Sequence, residues 1–219
     1  YSGGGNASTQ NRKWEINSQY GTIKASGAIT GNSSFADFAE YFESADGIAI
    51  SLGAIVSLVN DGKIKVAQEG EYMVGVISQT AGVILNAQGF EWKDRYLYDR
   101  YGQPILVDKE VEVVVDIDEN GNEIKEKQIV KAPMLNPNWD ETQDYIARED
   151  RPEWNVVGLT GQIYVNIDGT VQEGDFIKVG QNGIATKGRN AYGQNWQVMK
   201  ITTPYQEELG FGIAIVFVR

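Results

Sequence analysis

The chain has 219 residues, of which 42% are hydrophobic and 22% charged, as expected for one sizeable domain or a domain with an appendage. Its net charge of -11, from 19 basic and 30 acidic residues, repels phosphate backbones, so no nucleic-acid partner is expected, and no apolar run reaches the length of a membrane span. The absence of cysteine and histidine excludes disulfides, thiol nucleophiles, imidazole metal sites and Ser-His or Cys-His catalysis, which leaves carboxylates as the first candidates for acid–base chemistry.

The first 36 residues differ in composition from the rest and are predicted to form a separate segment. Residues 1–10 are rich in Gly, Ser, Thr and Asn and have no apolar period, which is typical of a linker. Sparse alternation around Trp14 and again around Ile23 indicates two short strands broken by Gly and Asn. Strands this short cannot bury their apolar side chains alone, so the segment is expected to wind against copies of itself.

The stretch DFAEYFE, residues 37–43, admits two interpretations. Asp37 and Glu40 have the spacing of a capping box, which predicts a short helix near residues 37–44 with Asp37 as its N-cap. Alternatively the two acids form a carboxylate pair, because residues three apart on a helix share a face. Close carboxylates have pKa values that split apart, so one could serve as acid and the other as base without histidine.

Beyond residue 48 the pattern predicts a mostly-β domain, barrel-like or sandwich-like, with few short helices. Short runs rich in Val and Ile alternate with turn residues, at the strand lengths and spacings typical of such folds. The predicted strands are 48–59, 63–67, 72–78, 82–86, 111–117, 127–132, 156–167, 175–180, 196–202 and 211–219. Residues 90–105 are aromatic and charged, which indicates an irregular excursion between strands.

The segment DIDENGNEIKEK resembles a calcium-binding loop, with Asp116, Asp118 and Asn120 at its first, third and fifth positions. The twelfth position should hold a bidentate glutamate but is Lys127. The flanks alternate like strands, and Asn120-Gly121 is a strong signal for a type I′ turn. The segment is therefore predicted to be a β-hairpin, and no metal site is expected.

A long polar segment, residues 136–154, carries Trp139, Tyr145 and Trp154 among several acids. Exposed aromatic rings beside acids could bind a sugar. The favoured interpretation is a surface loop that its aromatic side chains pin to the domain, since loops this long carry either function or packing anchors.

The motif FADFAEYFE resembles the opening of the intramolecular chaperone autoprocessing domain, the G2 peptidase family of phage tail spikes and neck appendages. The resemblance continues in KIKVAQEGEYMVGVIS, WKDRYLYDRYGQPI, LNPNWDETQDYIAREDRPEWNVVGLTGQIYV and GDFIKVGQNGIAT, and covers about residues 34–219. The segment before it resembles the repetitive β-stalk of a phage fibre. The chain is thus expected to divide into the end of a stalk with a linker, 1–36, and an autoprocessing chaperone domain, 37–219.

The resemblance implies a homotrimeric domain that brings three chains into register, promotes folding of their stalk and then cuts itself off. The cut is expected at Ala36–Asp37, with Glu40 as the residue tied to cleavage and Asp37 as its partner in catalysis. Relatives often have Ser before the cut, so the presence of Ala36 excludes an acyl shift through a hydroxyl there. No cofactor or metal is implied. The implied location is the virion tail, after synthesis in the cytoplasm of a bacterial host.

These implications lead to a carboxylate mechanism as a hypothesis. Glu40 would activate a water that attacks the Ala36 carbonyl, and Asp37 would protonate the leaving nitrogen or attack the carbonyl itself. Arg148 or Arg151 could steady the developing oxyanion, although ordinary salt bridges are their commoner use. The competing hypothesis is a non-cleaving tip of a tail fibre that binds a receptor or glycan through residues 136–154.

Overall fold

The computed structural model describes residues 14–17, 22–25, 37–87, 92, 94–189 and 196–219, and it is built almost wholly of β-strands. The strands are β1 Trp14–Asn17, β2 Thr22–Ala25, β3 Asp37–Glu43, β4 Ile55–Leu58, β5 Ile64–Val66, β6 Gly75–Ile77, β7 Val83–Leu85, β8 Leu106–Ile117, β9 Glu123–Pro133, β10 Trp154–Ile167, β11 Phe176–Val179, β12 Ala185–Lys187, β13 Trp196–Gln206 and β14 Phe211–Val218. Helical structure in these ranges is limited to three single 3-10 turns, at Asn60–Gly62, Arg148–Asp150 and Gln181–Gly183. The prediction of a mostly-β fold is therefore confirmed. In the described ranges no helix has the length and apolar character needed to cross a membrane.

Five strands, β10, β14, β13, β11 and β12, close into a barrel. The ring closes where β12 pairs in parallel with the end of β10, at Ala185 and Ile167. Alternate residues of each strand point inward, as the period of two requires. Along β14, for example, Gly212, Ala214 and Val216 are buried while their neighbours are partly exposed. The barrel is consequently filled by small and β-branched side chains from all five strands.

The 14-residue strand β10 belongs to two sheets at once. Its C-terminal half, from Gly161 to Ile167, pairs with β14 in the barrel. Its N-terminal half pairs with β3 along one edge and with β6 along the other, and β3 in turn pairs with β7. Val157 lies between these edges, opposite Glu40 of β3 and Ile77 of β6. The segment that carries both predicted catalytic acids is thus attached directly to the barrel's longest strand.

Strands β8 and β9 form a separate long hairpin, which confirms the hairpin prediction for the calcium-like segment. The turn type differs from the predicted type I′, which requires a positive φ at both central residues. Only Gly121 has one, at 84°, and the carboxylate of Asp118 accepts hydrogen bonds from the backbone N–H groups of Asn120 and Asn122, each at 2.8 Å. Lys127 is paired with Glu110 at 2.7 Å, in a ladder of charges across the two strands.

Within the described ranges, strands β1 and β2 pair only with each other, in antiparallel register. Ile16 and Ile23, directly opposite one another, are 65% and 72% exposed. The two short strands predicted in this region are confirmed. Their winding against other copies, and the division of the chain after residue 36, stay predictions.

Candidate functional site

The stretch DFAEYFE is strand β3, so the predicted helix near residues 37–44 and its capping box are wrong. Burial alternates along it: Asp37, Ala39 and Tyr41 are buried, whereas Phe38 is 55% exposed. The physical reason is that β10 and β7 pair with both edges of the segment, and aromatic side chains fit a half-buried pleated surface well. Hydrogen bonds of the sheet replace those that a helix would have made.

This geometry also overturns the predicted pairing of the two acids. Residues three apart share a face on a helix but lie on opposite faces of a strand. Asp37 points to the buried face of β3, and Glu40 points to the other face together with Phe38. The two carboxylates therefore cannot share a proton within one chain.

Asp37 is 2% exposed, and two hydroxyl groups hold its side chain. Ser78 Oγ donates to Asp37 Oδ2 at 2.8 Å, and Thr80 Oγ1 donates to Oδ1 at 3.4 Å. The backbone of Asp37 is fixed as well, because its carbonyl accepts a hydrogen bond from the N–H of Gly82 at 3.0 Å. A buried carboxylate costs free energy unless it is hydrogen-bonded, so these donors are a condition for burying Asp37.

Gly158 leaves the space in which the Asp37 carboxylate accepts the hydrogen bond from Ser78. Asp37 and Ser78 come from elements on opposite edges of β10, and Gly158 lies between them. A Cβ atom at position 158 would stand 3.0 Å from Asp37 Oδ2 and 2.6 Å from Ile163 Cδ1. The bare backbone at Gly158 is therefore what allows the Asp37 carboxylate to reach its donors.

Glu40 lines a different cavity, of about 460 Å³, together with Tyr41, Phe42 and Glu43 of β3. The cavity has polar and apolar walls and carries charges of both signs; its other walls include Lys63, Asn86, Arg148 and Trp154. Glu43 is paired with Lys63 at 2.6 Å, so one acid of the cavity is already neutralised by a neighbouring cation. Asp37 and its hydroxyl partners are not part of this lining.

Arg148 is the buried cation of the Glu40 cavity, with 4% of its surface exposed. Its guanidinium lies 3.6 Å from the ring centre of Trp154, and it donates to the carbonyl of Asn86. Burial is the main reason why the pKa of Arg148 lies below its ordinary value; nearby Arg151 adds to the effect and Glu40 is among the groups that oppose it. Arg148 thus shares a cavity with Glu40.

Arg151, the other cation considered from the sequence, has a different environment. It pairs with Glu153 at 3.3 Å and stacks over Trp92 at 4.7 Å. It does not line the Glu40 cavity. Of the two arginines, the structure brings only Arg148 to the predicted site.

Two aromatic side chains of residues 136–154, Trp139 and Tyr145, pack on Trp92. Trp139 lies 6.4 Å from it and Tyr145 meets it edge to face at 6.0 Å, measured between ring centres. The indole N–H of Trp92 donates to the carbonyl of Asp144 at 3.2 Å. This packing is what the surface-loop interpretation predicts for the segment.

Sequence reasoning missed Ser78, Thr80 and Gly158 as parts of the site. They stand 41, 43 and 121 positions from Asp37, and neither hydroxyl belongs to a motif that singles it out. Ala36, on the other side of the predicted cut, lies outside the described residues.

Replacing Ser78 by Ala is expected to lower the free energy of unfolding by about 1–3 kcal/mol, because it removes a donor from a buried carboxylate. Ser44→Ala is the matched control: Ser44 is also buried, but it donates to the backbone carbonyl of Ile48 and its loss should cost about 1 kcal/mol. Guanidinium denaturation measures both, and Ser78→Thr should retain much of the stability. Equal losses for the two alanine variants would contradict this role of Ser78.

Comparisons with known proteins agree with this architecture. The model of the Peptidase_G2 family, described as the IMC autoproteolytic cleavage domain, matches residues 3–219. The chain belongs to this family of autoproteolytic domains. It is 43% identical over 206 residues to the preneck appendage protein of Bacillus phage PZA, covering 94% of this chain and 22% of that protein. The chain thus spans less than a quarter of this relative's length.

Two solved structures from bacteriophage phi29 also match. One, of the pre-mature gene product 12, has a TM-score of 0.76 and 42% identity, and the match covers 94% of this chain and 24% of that one. The other, of the C-terminal fragment of gene product 12, has a TM-score of 0.62 and 44% identity, and the match covers 84% of this chain and all of the fragment.

Proposed function

We propose that this chain is the C-terminal intramolecular chaperone of a phage tail spike or neck appendage, which promotes trimerisation and folding and then releases itself by cutting Ala36–Asp37. One observation carries the proposal. Asp37 begins an interior strand, and its side chain is buried on Ser78 and Thr80. The domain thus fixes the position of the residue on the C-terminal side of the proposed cut.

The comparison with the phi29 C-terminal fragment supports a C-terminal place for this domain in a longer protein, since the whole of that fragment matches 84% of this chain.

The proposed chemistry needs only water and side chains of the protein. A Glu40 carboxylate removes a proton from a water whose oxygen attacks the Ala36 carbonyl carbon. Arg148 stabilises the oxyanion that forms. When the carbon–nitrogen bond breaks, the proton passes from Glu40 to the nitrogen of Asp37. The products are a carboxylate at Ala36 and a new amino terminus at Asp37, and Glu40 returns to its carboxylate form.

The chaperone role follows from the difficulty of assembling a stalk from three chains. Contacts between distant or separate segments form slowly, and a domain that holds three chains together raises their effective concentration and fixes their register. Removal of that domain afterwards leaves a stalk that is trapped kinetically. The proposed partners are two further copies and the upstream stalk. The proposed location is the virion tail, after synthesis in the host cytoplasm.

Cleavage is tested by intact mass spectrometry on freshly purified chains. We expect the unmodified chain to give a fragment that begins at Asp37, and Glu40→Gln to stay whole. Glu43→Gln is the matched control, because Glu43 lines the same cavity but is neutralised by Lys63, and it should still be cut. If the unmodified chain stays whole as a stable trimer, the proposal fails and the non-cleaving receptor-binding or glycan-binding tip becomes the better hypothesis.

A further inference from the structure

We propose that a cavity between the open end of the β8–β9 hairpin and residues 136–154 binds an acidic saccharide, a sugar ring that carries a carboxylate. The inference goes beyond the proposed function, because neither Glu40 nor Asp37 lines this cavity. It is carried by the fixed walls of the cavity, by its aromatic rings and by two cations that pair with no carboxylate of the described residues.

The cavity has a volume of about 470 Å³, within the range of about 300–1,000 Å³ that is typical of small-ligand pockets. Its walls come from three parts of the chain: a stretch that includes Trp92 and Arg95, the β8–β9 hairpin, and residues 135–145. Hydrogen bonds join the first part to the third. The backbone N–H of Asn136 donates to the carbonyl of Arg95, and its side-chain amide donates to the carbonyl of Asp94, each at 2.9 Å. The walls are therefore in place before any ligand binds.

Three aromatic side chains of the lining, Trp92, Trp139 and Tyr145, offer apolar surface at different angles. The ring planes of Trp92 and Trp139 are inclined by 46°, and those of Trp92 and Tyr145 by 77°. Neither pair forms a slot with parallel sides for a flat ring. A sugar ring is puckered and carries weakly positive C–H groups, which suit the negative faces of aromatic rings. The geometry therefore favours a sugar over a planar aromatic compound.

Hydrogen-bonding groups lie beside these rings. Glu141 and Gln143 line the cavity together with the aromatic side chains. A carboxylate accepts hydrogen bonds, and an amide both donates and accepts them, so the two side chains suit the hydroxyl groups at the rim of a sugar. A saccharide has apolar faces and a polar rim, and the lining offers a partner for each.

Two cations of the lining, Arg95 and Lys109, add a preference for negative charge. Elsewhere on the hairpin Lys131 is neutralised by Asp108, at 2.7 Å. Neither Arg95 nor Lys109 forms an ion pair within the described ranges, and the buried Nε atom of Arg95 has no hydrogen-bond partner there. Among the described residues, the lining has two cations and one acid, so it is positive in a chain whose net charge is -11.

These features together select one class of ligand. A neutral sugar would leave both cations uncompensated, and a simple anion would leave the aromatic rings without a partner. A sugar that carries a carboxylate uses both, because a guanidinium can bind a carboxylate through two parallel hydrogen bonds. The lining thus matches an acidic saccharide better than either of its parts alone.

The test compares methyl β-D-glucuronide with methyl β-D-glucoside, which differ only in the carboxylate at C6. Saturation-transfer NMR detects the protons of a sugar bound to the purified chain, whatever the size of the assembly and whether or not the chain has been cut. We expect the glucuronide to bind about fivefold more tightly than the glucoside at low salt, the gain that one partly exposed ion pair gives. Sodium acetate at the same concentration should not displace it.

Lys109→Met is expected to weaken glucuronide binding about fivefold and to leave glucoside binding unchanged, because it removes the charge and retains an apolar stem. Lys131→Met is the matched control: Lys131 is also on the hairpin, but it is paired with Asp108 and does not line the cavity. It should bind both sugars as the unmodified chain does.

Trp139→Ala is expected to weaken the binding of both sugars about tenfold, because it removes one of the aromatic walls. Circular dichroism shows whether this variant remains folded. The two lysine variants decide the matter if it does not, since both substitutions are on the hairpin and leave the aromatic packing in place.

Several results would overturn the inference: equal binding of the two sugars, equal losses in the two lysine variants, or displacement of the glucuronide by acetate. Failure of either sugar to bind at millimolar concentrations would overturn it as well. None of these results bears on self-cleavage, which is followed separately by mass spectrometry. The inference and the proposed function therefore fail independently of each other.

Discussion

Replacing Arg148 by Met is expected to slow self-cleavage by about 10²–10³-fold while the domain remains folded. Removal of one donor that stabilises an oxyanion has an effect of this size. Methionine retains an apolar stem that can lie against Trp154, so the change removes the charge and its hydrogen bonds more than the packing. The rate is measured by following the appearance of the fragment that begins at Asp37 after synthesis or refolding.

Arg151→Met is the matched control for this prediction. Arg151 is a neighbouring arginine that also stacks on aromatic rings, but it lies outside the lining of the Glu40 cavity. We expect it to cleave at close to the normal rate, and circular dichroism should show both variants folded. If Arg148→Met cleaves normally, the cation serves only to pack against Trp154 and takes no part in the reaction.

Replacing Gly75 by Ala is expected to reduce the free energy of unfolding by about 3 kcal/mol or more, the upper end of the range for overpacking. A Cβ atom at this position would stand 2.5 Å from the carbonyl oxygen of Gly158 and 2.5 Å from Val157 Cγ1. The first of these contacts is backbone, so β6 and β10 must move apart. Because β6 leads directly into Ser78, the shift should also disturb the hold on Asp37 and slow cleavage.

Gly169→Ala provides the comparison for Gly75. At Gly169 the added Cβ atom would meet only the ring of Tyr205, at 3.5 Å, which is an ordinary contact. Guanidinium denaturation should show a small change for this variant, with the same slope as the parent chain. A loss for Gly75→Ala as small as that for Gly169→Ala would show that β6 and β10 are less closely fixed than the structure indicates.

The strands of the barrel could be predicted from sequence because their signal is local. In β14 a small or apolar residue points inward at every second position, and β10 and β13 show runs of the same kind. The closure of the barrel could not be predicted in the same way. It depends on the pairing of β12 with β10 at Ala185, and neither segment has a sequence pattern that indicates the other as its partner.

The spacing of its acids predicts a helix for the stretch from Asp37 to Glu43, whereas the structure has a strand there. The burial of its residues alternates as in a strand, with Asp37, Ala39 and Tyr41 on the buried face. Its three aromatic residues also favour a strand. Seven residues are too few for the sequence alone to decide between the two periods. Pairing with β10 and β7, which lie 40 or more positions away, decides it in the folded protein.

The sequence predicts a role for the two acids, a role that stays a prediction, and it does not predict their surroundings. The sequence offers two arginines, and the lining of the Glu40 cavity distinguishes them, because it includes Arg148 and not Arg151. Ser78 and Thr80 reach Asp37 across another strand, at a point where Gly158 leaves space. Contacts of this kind depend on how distant strands are aligned in the fold, so no local sequence pattern predicts them.

The position of β3 between β10 and β7 has a consequence for the proposed cut. A nick before Asp37 would remove no strand from either neighbour, so the severed domain would keep its sheet and look unchanged by circular dichroism. Hydrolysis and departure would therefore be separate events, and the rate of the second would be set by the contacts that still join the two parts.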